Sequence, residues 1–104
     1  MTYWEQECGD KSLHETLTNI VNNNDVSIIE DDKELFRVLK RHLTRKELHA
    51  FCMKEGSQTD EAISQRVSVK LEDVELLLRK ANRKLKQAKV TNEIFTKQEN
   101  RSGD

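Results

Sequence analysis

Apolar residues recur at intervals of three and four along most of this chain, a spacing typical of amphipathic helices. The sequence has no proline and only three glycines, and its β-branched runs are short. Few residues therefore interrupt a helix, and few favour a sheet. The pattern predicts an all-α protein, a compact bundle of about five helices that contains a helix-turn-helix.

Local signals mark where these helices begin and end. Ser12 and Thr44 each precede a glutamate by three residues, which is the spacing of a capping box. Asp31 and Thr59 are oxygen-bearing residues at the starts of two further helices. Gly56 is expected to end the helix that follows Thr44, because glycine accepts left-handed backbone angles at the C′ position.

These signals divide the chain into three parts. Residues 12–89 are predicted to form a single helical domain, with the helix-turn-helix at 59–89. Residues 1–11 form an N-terminal arm with Trp4 but no periodicity, so the sequence leaves open whether it folds over the core or stays loose. Residues 90–104 are predicted to form a polar, disordered C-terminal tail.

The helix-turn-helix is the most informative stretch. Ile63 and Val67 face inward from a short predicted helix, and Ser68-Val69-Lys70 forms the turn. The last helix is predicted to run from about Leu71 to Lys89. Its inner face carries apolar residues at helical spacing, namely Val74, Leu78, Ala81, Leu85 and Ala88.

Charge is distributed unevenly along the chain. Residues 1–39 carry nine acids and three bases for a net −6, whereas residues 40–89 carry thirteen bases and seven acids for a net +6. Residues 90–104 add −1, which gives the total of −1. The near-neutral total thus conceals a basic module behind an acidic N-terminal part, and such a module suits a polyanionic partner.

The sequence lacks the residues that several functional classes require. No apolar run approaches the ~18 residues that span a membrane, and no signal peptide is evident, so we expect a cytoplasmic protein without membrane contact. Cys8 and Cys52 are expected to be plain thiols, with Cys52 in the core. The three histidines lie on different predicted helices, which argues against a metal site. We expect neither enzymatic activity nor a cofactor, because no catalytic motif is present.

The segment 43–86 combines spaced apolar positions with polar landmarks. These are Leu43-Thr44-x-x-Glu47-Leu48, Gly56, Thr59 to Ser64, Val67-Ser68-Val69, and Val74-x-x-x-Leu78-x-Lys80-Ala81-x-x-Lys84-Leu85-Lys86. The segment resembles region four of bacterial sigma factors, the domain that binds the minus-thirty-five promoter element. The resemblance covers less than half of the chain, and no counterpart of sigma region two is visible upstream. It implies a transcription-related protein whose partners are double-stranded DNA and the β-subunit flap of RNA polymerase.

The segment departs from the family at the start of its last helix. Family members commonly have a serine or threonine cap where Lys70 stands, and arginines among the groove-reading positions. A helical wheel places Glu72, Leu76, Arg79 and Arg83 opposite Val74, on the face that would enter the groove. By resemblance, Glu72 matches a glutamate used for base contact. The candidate base contacts are Leu71, Glu72, Glu75 and Leu76, and the candidate phosphate contacts are Thr59, Lys70, Arg79, Arg83, Lys84 and Lys86.

The same residues also allow other interpretations. Acids favour the start of any helix and bases favour its end, so the charges of the last helix have a purely structural explanation. Exposed leucines flanked by acids are also suited to meeting a protein. The alternative hypothesis is therefore an adaptor or regulator of the transcription machinery that keeps the fold without reading bases. In that case the acidic residues 1–39 would cover the basic surface. Monomer and homodimer both remain open.

Overall fold

The computed structural model describes residues 2–21 and 27–95, and within these ranges the protein is helical. The one exception to helix and loop in this part is an isolated antiparallel bridge between Ile28 and Phe95. The all-α prediction is confirmed, but the described ranges contain seven helices where about five were expected. The helices are α1 Tyr3–Cys8, α2 Leu13–Val21, α3 Asp32–His42, α4 Arg45–Glu55, α5 Asp60–Val67, α6 Leu71–Leu85 and α7 Ala88–Ile94.

Local caps start three of the helices as the sequence predicted. The Asp31 carboxylate accepts a hydrogen bond from Lys33 N at 3.0 Å at the start of α3. Thr44 and Glu47 form a reciprocal capping box on α4, with distances of 2.9 and 3.2 Å. Thr59 Oγ1 accepts from the third backbone N–H of α5 at 3.1 Å. Each cap satisfies N–H groups that have no partner inside their own helix.

The start of α2 is capped partly by another helix. The Ser12 hydroxyl accepts from Glu15 N at 3.0 Å, which is one of the two bonds of the predicted capping box. The Asp32 carboxylate, which lies in the first turn of α3, accepts from Leu13 N at 2.9 Å and from His14 N at 3.0 Å. The packing of α2 on α3 therefore includes a hydrogen-bonded junction between their N-terminal ends.

Gly56 ends α4, but the predicted reason was wrong. Its backbone angles are φ −86° and ψ 12°, and the left-handed residue is Ser57, at φ 69°. A Cβ atom at Gly56 would lie 2.2 Å from the backbone oxygen of Glu7. Glycine is required here because α1 passes directly over the end of α4.

A large hydrophobic cluster joins α1, α2, α3 and α7 to α4 and the end of α6. The Trp4 side chain is buried in it, donates from Nε1 to the Lys11 carbonyl at 2.8 Å, and lies with its ring centroid 6.0 Å from that of Phe51. The described part of the N-terminal arm therefore folds over the core, which settles the alternative that the sequence left open.

The C-terminal end of the domain differs from the prediction. α6 ends at Leu85 instead of continuing to Lys89, and Ala88 is exposed at the start of α7. Val90 and Ile94 are fully buried on one face of α7, and Ile29 N donates to the Ile94 carbonyl at 2.8 Å. Residues 90–95 are thus part of the core and not of a disordered tail, because these two apolar side chains pack against α3. The remainder of that predicted tail, residues 96–104, lies outside the described residues.

A second, smaller hydrophobic cluster lies between α4, α5 and the first half of α6. Its buried members are Ala50, Met53, Ile63, Val67 and Val74, with Leu78 partly buried against them. The inward orientation predicted for Ile63, Val67 and Val74 is confirmed. No described helix has both the length and the apolar character needed to cross a membrane.

Candidate nucleic-acid interface

Hydrogen bonds of two serines fix the turn between α5 and α6. Ser68 adopts left-handed angles of φ 62° and ψ 49°, which cost a residue other than glycine about 1 kcal/mol. The Ser64 hydroxyl donates to the Val69 carbonyl at 2.6 Å, and Val69 N donates back to the Ser64 carbonyl at 3.1 Å. This pair of bonds sets the direction in which α6 leaves the turn.

The outer face of α6 changes in chemistry along its length. Its first two turns are exposed and carry Glu72, Asp73 and Glu75, whereas its last two turns expose cations. Residues 70–86 contain six bases and three acids, for a net +3. The cationic half follows the acidic half along the same helix, so a polyanion on this face would meet both.

The four candidate base contacts are all exposed, but they do not share one face. Glu72 and Leu76 lie opposite the buried Val74, whereas Leu71 and Glu75 lie on one flank. Leu71 is 48% exposed and Leu76 is 45% exposed, and the five-residue step between them separates the two side chains by about 140° around the helix. They therefore do not form a single apolar patch.

Most of the candidate phosphate contacts are accessible. Thr59, Lys70, Arg83 and Lys86 are exposed, and in the described ranges none of the three cations has an ion-pair partner. Arg79 lies 3.4 Å from Glu75 one turn earlier, in a fully solvated pair that contributes little to stability. Thr59 Oγ1 accepts the α5 capping bond, which leaves its proton available to donate.

Lys84 differs from the other candidates because it holds two helices together. Its Nζ lies 2.7 Å from Oε1 of Glu47, a buried carboxylate at the start of α4. Burial alone would raise the pKa of Glu47, but the hydrogen bonds from Lys84 and from Thr44 N outweigh burial and lower this pKa below its usual value. Lys84 is therefore occupied by a structural ion pair that sequence spacing did not indicate.

Among the described residues of 1–39, no acid forms an ion pair with a cation of α6. Glu34 pairs with Arg37 on α3, and Glu7 lies near Arg66 on α5 and His49 on α4. Glu7 Oε2, for example, lies 3.6 Å from Arg66 Nη1. The outer face of α6 is therefore accessible in this conformation.

The described residues do not assemble other reactive groups. Burial raises the pKa of the Cys8 thiol to about 11 and also raises that of Cys52, so little thiolate is present at neutral pH. In the described part of the chain, no three His, Cys, Asp or Glu side chains lie close enough to hold a metal ion. Cys52 is fully buried, as the sequence predicted.

A second set of exposed cations combines Lys33 and Lys40, which were not selected from the sequence, with Arg45, for which the sequence leaves phosphate contact and plain surface charge equally open. Lys33 and Lys40 lie on the outer face of α3, and Arg45 is the first residue of α4. Lys33, Arg37 and Lys40 are spaced by four and three residues, which places them along one side of a helix. This spacing was a usable signal, but the charge count divided these cations between the acidic segment 1–39 and the basic segment 40–89.

No protein-family model, curated protein or solved structure matches this chain. The resemblance of residues 43–86 to sigma region four stays a prediction. Function is therefore inferred from the charge, shape and exposure of the described surfaces.

Proposed function

We propose that α5 and α6 form a helix-turn-helix that binds duplex DNA, with α6 entering the major groove. The observation that carries the proposal is the exposed cationic half of α6, on a helix held in place by the small cluster and by the Lys84–Glu47 ion pair. A rigid helix with an accessible cationic outer face is the arrangement that helix-turn-helix proteins use for groove binding. The resemblance of residues 43–86 to sigma region four supports the same assignment.

Phosphate contact is assigned to the second half of α6 and to the edges of the turn. Arg79, Arg83 and Lys86 extend from α6, and Lys80 lies on its flank. Thr59 and Lys70 precede α5 and α6 and would anchor the sugar-phosphate backbone. These contacts fix orientation and supply most of the affinity, whereas base contacts supply the specificity.

Base readout is assigned mainly to Glu72 and Leu76. A carboxylate at Glu72 can accept from the N4 amino group of cytosine, and Leu76 can contact the methyl group of thymine. Arg79 lies 3.4 Å from Glu75, and this nearby cation reduces the repulsion between Glu75 and phosphate. The acidic first turn therefore favours a protein with modest affinity whose specificity depends on a cytosine near Glu72.

A salt titration of duplex binding tests the proposal. The full chain would be titrated into a fluorescein-labelled random duplex at several salt concentrations, and binding would be followed by anisotropy. Arg79→Ala/Arg83→Ala removes two cations, so we expect weaker binding and a slope of log K against log salt that is shallower by about two. Glu72→Ala is expected to change the preference among duplexes of different sequence more than the overall affinity.

The matched control is Lys33→Ala/Lys40→Ala, which removes two exposed cations from α3. It should leave both affinity and slope unchanged. Equal losses in the two double variants would contradict the proposal, because binding would then be diffuse attraction to any basic surface. Absence of binding by the unmodified chain at low salt would also contradict it.

A protein-docking role is the second candidate, and Leu76 favours it. Leu76 borders a shallow depression of about 270 Å³ with Val69, Asp73, Leu77 and Lys80. An exposed leucine beside such a depression suits a protein partner, and the resemblance names the β-subunit flap of RNA polymerase. Binding of a purified flap fragment that is lost in Leu76→Ala but kept in Arg79→Ala/Arg83→Ala would favour this role over DNA binding.

A further inference from the structure

Two adjoining concavities lie between α1, α3 and the start of α4, on surface not assigned to DNA. One has a volume of about 480 Å³ and the other about 660 Å³. Thr2, Phe36 and Lys40 line both, so the two form one continuous depression, which we call the α1–α3 groove.

The floor of the α1–α3 groove is apolar and held in place. Phe36, Leu43 and Leu48 contribute buried side chains, and Tyr3 lines the same end. The Tyr3 ring stacks on His49 with centroids 4.2 Å apart, and it meets the Phe36 ring edge-on at 6.3 Å. Because these contacts fix Tyr3, the floor is a preformed aromatic surface that can receive an apolar side chain.

The rim of the α1–α3 groove is strongly basic. Five cations line it against one carboxylate, that of Glu5. Arg37 and Arg41 are paired with Glu34 and Glu93, respectively. The other three cations, Lys33, Lys40 and Arg45, have no ion-pair partner in the described ranges. The groove therefore combines uncompensated positive charge with an apolar floor.

We propose that the α1–α3 groove binds an acidic peptide segment of a partner protein, anchored by one aromatic or large aliphatic side chain. The anchor would lie over Tyr3 and Phe36, and flanking carboxylates would face Lys40 and Arg45. A nucleic acid fits this site less well, because its phosphates gain nothing from the apolar floor and are repelled by Glu5. A peptide can instead place an uncharged N–H group beside Glu5. This site would give the protein a partner independent of DNA.

Fluorescence anisotropy with a defined peptide tests the inference. The probe is fluorescein-labelled Glu-Asp-Glu-Phe-Asp-Glu-Asp, titrated with the full chain at about 100 mM salt, where distant charges are screened. We expect saturable binding with a Kd on the order of 10 μM. Replacing the phenylalanine of the probe by serine should weaken binding about 10-fold, because a buried aromatic anchor is lost.

The informative variant is Lys40→Glu/Arg45→Glu, and the matched control is Arg79→Glu/Arg83→Glu on α6. Both pairs are exposed. An acid suits the helix dipole at position 45, the first of α4, and opposes it at position 40, in the last turn of α3, so the two dipole effects offset each other in the informative variant. We expect at least a 10-fold loss of peptide binding in the first variant and no loss in the second. Circular dichroism would confirm that both variants keep their helices.

Three outcomes would overturn the inference. The first is equal binding of the phenylalanine and serine probes, which would reduce the site to charge alone. The second is competition by random duplex DNA that depends on Lys40 and Arg45, which would assign the groove to nucleic acid. The third is self-association of the chain that is lost in Lys40→Glu/Arg45→Glu, which would assign it to a second copy. Because peptide binding and duplex binding are measured separately, this inference and the DNA proposal can fail independently.

Discussion

The two hydrophobic clusters are built from contacts of very different range in the sequence. The small cluster takes all of its buried residues from the stretch 50–74, whereas the large cluster spans from Trp4 to Ile94. α4 and α6 contribute to both clusters. The helices proposed to bind DNA, α5 and α6, contribute only three buried side chains to the small cluster, Ile63, Val67 and Val74. They rely on α4 and on more distant parts of the chain for the rest of their support. A binding unit of this size depends for its stability on the rest of the domain.

Removing Trp4 from the large cluster should have the largest effect. Trp4→Ala deletes a buried aromatic side chain and its bond to the Lys11 carbonyl, so we expect a loss of about 4 kcal/mol in the free energy of unfolding. Urea denaturation followed by circular dichroism measures it, with exposed Gln6→Ala on the same helix as control. A loss below about 1 kcal/mol would mean that α1 does not support α4, and the contrast between the clusters would fail.

The junction of α1 with α4 can be tested at Gly56. Gly56→Ala places a methyl group 2.2 Å from the Glu7 carbonyl oxygen, so α1 must shift and we expect a loss of about 2–3 kcal/mol. Gly9→Ala is the contrasting substitution, because Gly9 has φ 60° and ψ −116° but no atom within 4 Å of a new Cβ, so its loss of about 1–3 kcal/mol would come from backbone strain alone. Thermal denaturation compares the two. A larger loss at Gly9 would show that backbone conformation and not contact with α1 dominates.

The ion pair between α4 and α6 should have the smallest of the three effects. Lys84→Met leaves the Glu47 carboxylate buried without its cation, and we expect the free energy of unfolding to fall by about 2 kcal/mol at pH 7. This loss is smaller than that for a fully buried ion pair because Lys84 is partly exposed. The pKa of Glu47 is lowered in the folded protein, so the ion pair stabilises the fold at pH values above the ordinary carboxyl pKa of about 4.5. This stabilisation is lost as the pH falls through the pKa that Glu47 has in the folded protein.

Urea titrations of this variant at a series of pH values check that sign. The stability gap between the unmodified chain and Lys84→Met should narrow as the pH falls below about 4.5. Glu47→Gln/Lys84→Met should recover about 1 kcal/mol at pH 7, because no unpaired charge is then buried. A gap that is constant with pH would assign the effect to packing of the lysine stem and not to charge.

The residues that the sequence located correctly are those whose signals are local. Asp31, Thr44 and Thr59 cap helices within three residues of themselves. Ile63 and Val67 are one turn apart on α5, and Val74 is one turn before Leu78 on α6. A single window of sequence contains all the information needed to place them. The all-α fold and the α5–α6 turn were therefore predictable.

The features that the sequence did not predict depend on partners far along the chain. Gly56 is required by Glu7, 49 positions earlier, and Lys84 pairs with Glu47, 37 positions earlier. Val90 and Ile94 form only a short apolar repeat, and their burial depends on α3. The α1–α3 groove was missed for the same reason, since its floor and rim come together only when α1 folds back over α3 and α4.

The carboxylate of Asp32 couples the folding of α2 to the folding of α3. Because Leu13 N and His14 N donate to a side chain that comes 18–19 residues later in the sequence, the first turn of α2 lacks these acceptors until α3 is present. During synthesis on the ribosome, α2 would emerge first and fray at its leading end until Asp32 leaves the exit tunnel. The two helices should then gain protection from amide hydrogen exchange as one kinetic unit, with Asp32→Ala separating their protection factors.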